Sequence, residues 1–75
     1  MSTLKDLSPG DRAVVRACCG DSKVCQRLCD LGFVPGARLR VVRYAPFGDP
    51  MEVEIDRFHL ALRRREAAIV EVERA

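Results

Sequence analysis

Four cysteines are the side chains of this sequence best suited to chemistry: Cys18 and Cys19 are adjacent, and Cys25 and Cys29 lie one helical turn apart. Four thiolates suit a tetrahedral zinc ion, and a very small protein gains most from such a staple. The spacing argues otherwise. Paired metal-binding cysteines usually leave a gap of two residues, and neither pair has one. Adjacent residues of a strand point to opposite faces, which would part Cys18 from Cys19. Unpaired cysteine is also a common small buried hydrophobe. Core packing is the favoured reading, with a metal site of Cys18, Cys19, Cys25 and Cys29 or a redox role as the alternatives. No resident cofactor is expected, and a transition metal would be held only weakly or adventitiously.

The remaining candidates are weaker. His59 is the single histidine. It has no nucleophile or second base nearby in the sequence, so it reads as a surface residue at a strand start. Glu52, Glu54 and Asp56 alternate along one strand face, where oxygen ligands could meet Fe2+ weakly. Carboxylates in that pattern more often keep a sheet surface soluble. There is no phosphate-cradling glycine loop and no Ser/His/Asp set. The reading is non-enzymatic.

These residues must be held by short elements. Ser8-Pro9-Gly10-Asp11 is turn chemistry, and Arg12 to Cys18 is a strand rich in Ala and Val that Gly20 stops. The next segment has a helical period, with Val24, Cys25, Leu28, Cys29 and Leu31 on one arc. Asp21 or Ser22 suits its N-cap, and Gly32 suits its C-terminal left-handed position. A Pro35-Gly36 turn leads to a strand from about Ala37 to Ala45. Pro46 and Pro50 then bracket Phe47-Gly48-Asp49 in a stiff loop. Met51 to Asp56 alternates as a strand with one buried face. Leu60-Ala61-Leu62 continues as a short strand, the arginine-rich stretch from Arg63 to Ala67 makes one helical turn, and Ala68 to Glu73 closes as a strand. Four or five short strands with one early helix predict a mostly β, small, partly open barrel.

The 75 residues form a single domain whose core is marginal, because so short a chain buries only about 60% of the surface it exposes when unfolded. A formal charge of +2 argues against a nucleic-acid partner, which calls for a concentrated positive face. Arg38, Arg40, Arg43 and the run Arg63, Arg64, Arg65 are offset by nearby carboxylates. No apolar run reaches the roughly 18 residues that span a bilayer. The first residues lack the pattern of a signal peptide. We therefore expect a cytoplasmic protein with reduced thiols and no direct membrane insertion.

The stretch LCDLGFVPGARLRVVRYAPFGDPMEVEIDRFHLALRRREAAIVEVE resembles the ferrous iron transport protein A family, the FeoA-like domains. The resemblance rests on an ordered set: Leu31-Gly32 with Pro35-Gly36, Ala45-Pro46, Gly48-Asp49-Pro50, Leu60-Ala61-Leu62-Arg63, Glu66-Ala67 and an Ile/Val ending. It covers nearly the whole chain. It implies one SH3-like β-barrel over residues 1–75, with about five strands and a short α-helix inserted after the first. It also implies a cytosolic accessory protein, an adaptor that binds and modulates the membrane transporter FeoB and so stays near the membrane. One departure is visible. Many family members place Gly in the turn occupied here by Asp56-Arg57-Phe58-His59, so Asp56 or Arg57 must take the left-handed conformation.

Barrels of this type bind partners in clefts between loops, with exposed apolar residues as anchors. Phe33, Val34 and Pro35 after the helix, and Pro46 and Phe47 in the proline-bracketed loop, are the candidate anchors. The competing reading has Phe33 and Phe47 capping the two ends of the barrel, and both stand open. An open barrel edge would also let copies of the chain pair. FeoA-like domains further resemble the C-terminal SH3-like modules of metal-dependent repressors, which implies a stand-alone metal-responsive regulatory domain as the alternative function. So few residues precede the first strand that no helix-turn-helix is expected there.

Overall fold

In a computed structural model, which describes residues 2–18 and 22–75, the chain forms a six-stranded antiparallel sheet in the order β1-β6-β2-β3-β4-β5. The strands are β1 (Ser2–Thr3), β2 (Arg12–Cys18), β3 (Arg38–Tyr44), β4 (Met51–Ile55), β5 (Phe58–Leu62) and β6 (Val70–Arg74). Helix α1 (Ser22–Asp30) follows β2, and a single turn, α2 (Arg64–Ala67), links β5 to β6. Among the described residues β1 and β5 are the sheet's edges, so the barrel stays open. Cys19, Gly20 and Asp21 lie outside the described residues, as does the helix cap assigned to Asp21 or the Ser22 side chain.

Strand alternation sets the core. In β4, Met51, Val53 and Ile55 are buried while Glu52 and Glu54 face outward. Ala13 and Val15 of β2, Leu39 and Val41 of β3, Leu62 of β5 and Val70 and Val72 of β6 turn inward to meet them. The N-terminal segment, which shows no strand or helix pattern in the sequence, also contributes. It adds β1, paired with β6 at Ser2–Val72 and Thr3–Glu71, and a 3₁₀ turn over Leu4–Asp6. Leu4 and Leu7 are thereby fully buried. The Tyr44 hydroxyl donates to the Leu7 carbonyl, tying this segment to the end of β3.

Helix α1 covers the core with a narrower stripe than its sequence suggests. Leu28 is fully buried, and Val24 and Leu31 pack against the core at helical spacing. Cys25 and Cys29 flank that stripe and are half-buried, so they line the edge of the packing instead of filling it. The helix ends in a Schellman closure: the Gly32 amide donates to the Cys29 carbonyl and the Phe33 amide to the Leu28 carbonyl, each at 3.0 Å. Gly32 carries the positive φ, 111°, that this closure requires. The turn after β4 places Asp56 at φ 56°, the left-handed residue expected where Gly is missing.

Candidate partner-binding surface

The loop between β3 and β4 is stiff by construction. Pro46 fixes the first corner of a tight turn, in which the Gly48 amide donates to the Ala45 carbonyl at 2.7 Å. The Ala45 amide donates to the Pro50 carbonyl at 2.9 Å, closing the base, and the Asp49–Pro50 peptide is cis. The loop is also fastened from outside. The Arg64 amide, at the start of α2, donates to Asp49 Oδ1 at 3.0 Å, so Asp49 caps that turn of helix from a distant part of the chain. The Arg64 side chain reaches back to the Gly48 carbonyl at 3.5 Å, and its guanidinium lies 5.7 Å from the Tyr44 ring centroid. Phe47 rides at the tip of this scaffold with 98% of its surface exposed.

The second candidate stretch behaves differently. Phe33 is fully buried against the core that holds Leu28, which is where a Schellman closure directs the residue after its glycine. A partner cannot reach it without opening the domain, so the expected role of Phe33 as an exposed anchor is corrected. Val34 and Pro35 do remain exposed. Their turn is closed by the Ala37 amide donating to the Val34 carbonyl, with Pro35 and Gly36 at the central positions of a type II turn. It is clamped to β2 by paired bonds between Gly36, Ala37 and Val15, each 2.8 Å.

The structure does not gather these residues into one patch. Val34-Pro35 precedes β3 and Pro46-Phe47 follows it, and the strand's seven residues set them roughly 20 Å apart at the usual rise. The sequence also passed over Phe58. Its alternation with Leu60 and Leu62 points it inward, yet it is 61% exposed because it begins the edge strand where the sheet ends.

The polar candidates pair with one another. Glu52 accepts from Arg43, and Glu54 lies 3.5 Å from Arg40. His59 is exposed on β5, 2.9 Å from Glu54. That hydrogen bond, helped by the Arg40 charge, holds the Glu54 carboxyl below the ordinary glutamate range. Glu52 and Glu54 thus join a ladder of cross-strand ion pairs, while Asp56 lies beyond the strand in the turn after β4. Among the described residues no three His, Cys, Asp or Glu side chains are grouped as a metal site. No helix among them is long and apolar enough to cross a membrane.

Comparison with known proteins decides the family. A family model described as FeoA domain matches residues 2–74. The chain belongs to the FeoA family. A curated relative from Porphyromonas gingivalis, an Fe(2+) transport protein A/Fe(2+) transporter FeoB fusion protein, is 39% identical over 70 residues. The match covers 93% of this chain but only 8% of that protein. The solution structure of FeoA from Chlorobium tepidum superimposes with a TM-score of 0.90 at 44% identity, covering 96% of this chain and 69% of the other. A zinc complex of FeoA from Stenotrophomonas maltophilia, described as a prokaryotic SH3 domain protein, gives 0.85 at 34%, covering 97% and 91%. The FeoA fold also appears in a manganese-dependent transcriptional repressor, with a TM-score of 0.90 at 23% identity over 99% of this chain and 41% of the repressor. That likeness is one of fold alone. The SH3-like architecture and the family that the sequence suggested are both borne out.

Proposed function

We propose that this FeoA-family chain is a non-enzymatic adaptor of ferrous iron transport that docks on the cytosolic part of FeoB and modulates it. One observation carries the reading: in the Porphyromonas gingivalis relative, segments named for FeoA and for FeoB share one polypeptide. Such a fusion holds the two at high effective concentration, which favours a pair that works in contact. The docking element is the loop bearing Pro46 and Phe47. An aromatic side chain held out on a rigid turn loses little entropy on binding, which is the usual character of an interface anchor. Val34 and Pro35, at the far end of β3, form a second and smaller contact. No cofactor takes part. The test is a pull-down of the purified chain with the cytosolic part of FeoB. Capture that fails for Phe47→Ser and persists for the wild type supports the reading, and capture of neither removes it.

The regulatory alternative, a stand-alone metal-responsive module, has only the repressor's fold likeness behind it. The cysteine-based metal site needs Cys19, which lies outside the described residues. Metal analysis of protein purified under reducing conditions tests both, since each calls for stoichiometric metal.

A further inference from the structure

The two edges of the sheet are finished differently. β1 is only two residues long, and the Thr3 amide is taken by the Asp6 carboxylate at 3.0 Å. A short edge with an occupied donor discourages further strand pairing. β5 has no such guard. Its five residues, Phe58-His59-Leu60-Ala61-Leu62, include no proline, lysine or arginine. Its register with β4 runs unbroken, whereas the β2–β6 and β3–β4 pairs each carry a shift. The two-residue turn before it makes Ile55 and Phe58 a hydrogen-bonded pair, so Phe58, Leu60 and Leu62 bond toward β4. The backbone groups of His59 and Ala61 therefore point out of the sheet, and both residues are exposed. Neither backbone meets another partner among the described residues.

The strand is nearly symmetric about its middle: Phe58 and Leu62 flank Leu60 at equal distance, with His59 and Ala61 between. We propose that β5 pairs with β5 of a second copy of the chain, antiparallel about a two-fold axis through Leu60. In that register His59 of each copy exchanges both backbone bonds with Ala61 of the other, the pairing that their outward groups call for. Leu60 then faces its own counterpart, and Phe58 lies opposite Leu62 of the second copy and diagonal to its Leu60. Phe58 is 61% exposed and Leu60 partly so, and a second β5 covers both with apolar side chains. The register is specific. A slip of two residues in either direction would set His59 against His59 or against Arg63. Just outside the strand Arg57 comes near Arg63 of the second copy, a repulsion that salt screens. Because β1 is guarded, like edge joins like edge and assembly stops at a dimer. This inference does not depend on the transporter reading.

Sedimentation equilibrium of the purified chain under reducing conditions tests it. One strand pair is a small interface, so dimer should grow in across roughly 10 μM to 1 mM protein. Over the same range, amide exchange at His59 and Ala61 should slow as concentration rises. Ala61→Pro removes an outward donor that the β4 ladder does not use, and should weaken dimerisation by roughly tenfold or more, since each copy loses a bond. Phe58→Lys, a change at an exposed site, should also weaken it, and thermal melts show which variants fold. If Ala61→Pro does not fold, Phe58→Lys carries the comparison. The proposal is overturned if the wild type stays monomeric throughout, if it associates without slowing exchange at His59 and Ala61, or if a folded variant dimerises as the wild type does. Slowing produced only by adding the cytosolic part of FeoB assigns the edge to that partner and likewise overturns it.

Discussion

Phe33 and Phe47 are the same side chain beside similar proline-glycine turns, and they meet opposite fates. Phe33 is completely buried and Phe47 is 98% exposed. The cause is the element that precedes each. Phe33 follows an amphipathic helix, and the closing hydrogen bonds of that helix swing it back over Leu28. Phe47 follows a half-buried strand end and sits at the outer corner of a turn closed by Ala45, Gly48 and Pro50 and fastened to Arg64 through Gly48 and Asp49. Local closure geometry thus decides whether an aromatic residue of this small domain joins the core or stands exposed.

The comparison is broken most severely at Phe33. Phe33→Ala should cost about 3–5 kcal/mol, as much as a core of this size usually supplies, so urea denaturation should find the variant largely unfolded at 25 °C. Gly32→Ala comes next. A Cβ at Gly32 meets no atom within 4 Å, so its cost is purely conformational, about 1–2 kcal/mol for forcing a left-handed backbone, and a thermal melt should show it. Asp49→Ala removes the cap that joins the loop to α2 and should cost about 1 kcal/mol. Hydrogen exchange at the Arg64 amide should speed up in that variant, while β4 amides stay protected. Phe47→Ser should change stability by less than about 0.5 kcal/mol, the outcome that most sharply separates the two phenylalanines.

The smallest effect concerns pH. The Glu54 carboxyl titrates below the ordinary glutamate value, chiefly through its hydrogen bond with His59. A depressed folded-state pKa stabilises the fold above the unfolded value, and that contribution is lost as pH falls through the folded one. In His59→Ala the Glu54 titration followed by NMR should move up toward the ordinary range.

Much of this was legible in the sequence. β2 begins and ends at the predicted residues, β4 alternates as read, and Asp56 takes the left-handed conformation that its missing glycine demanded. Periodicity and turn chemistry are local, so a local reading captures them. What escaped depends on distant partners. Ser2 and Thr3 form a strand only because Val72 and Glu71 lie beside them, which buries Leu4 and Leu7 with no helical or alternating pattern to announce it. Asp49 sits in the proline-bracketed loop, yet its carboxylate reaches the amide of Arg64, fifteen residues on. The separation of Val34-Pro35 from Pro46-Phe47 follows from β3 running between them, which a list of exposed apolar residues does not convey. Cys25 and Cys29 fell on the right side of α1, but the helix settles on Val24, Leu28 and Leu31 and leaves both at the margin.

The most direct test of the adaptor reading is a titration of the cytosolic part of FeoB with labelled wild-type and Phe47→Ser protein, alongside thermal melts of both. The account predicts affinity weakened by roughly tenfold or more for an anchor residue, with an unchanged melting midpoint. Equal affinity for the two proteins would contradict it.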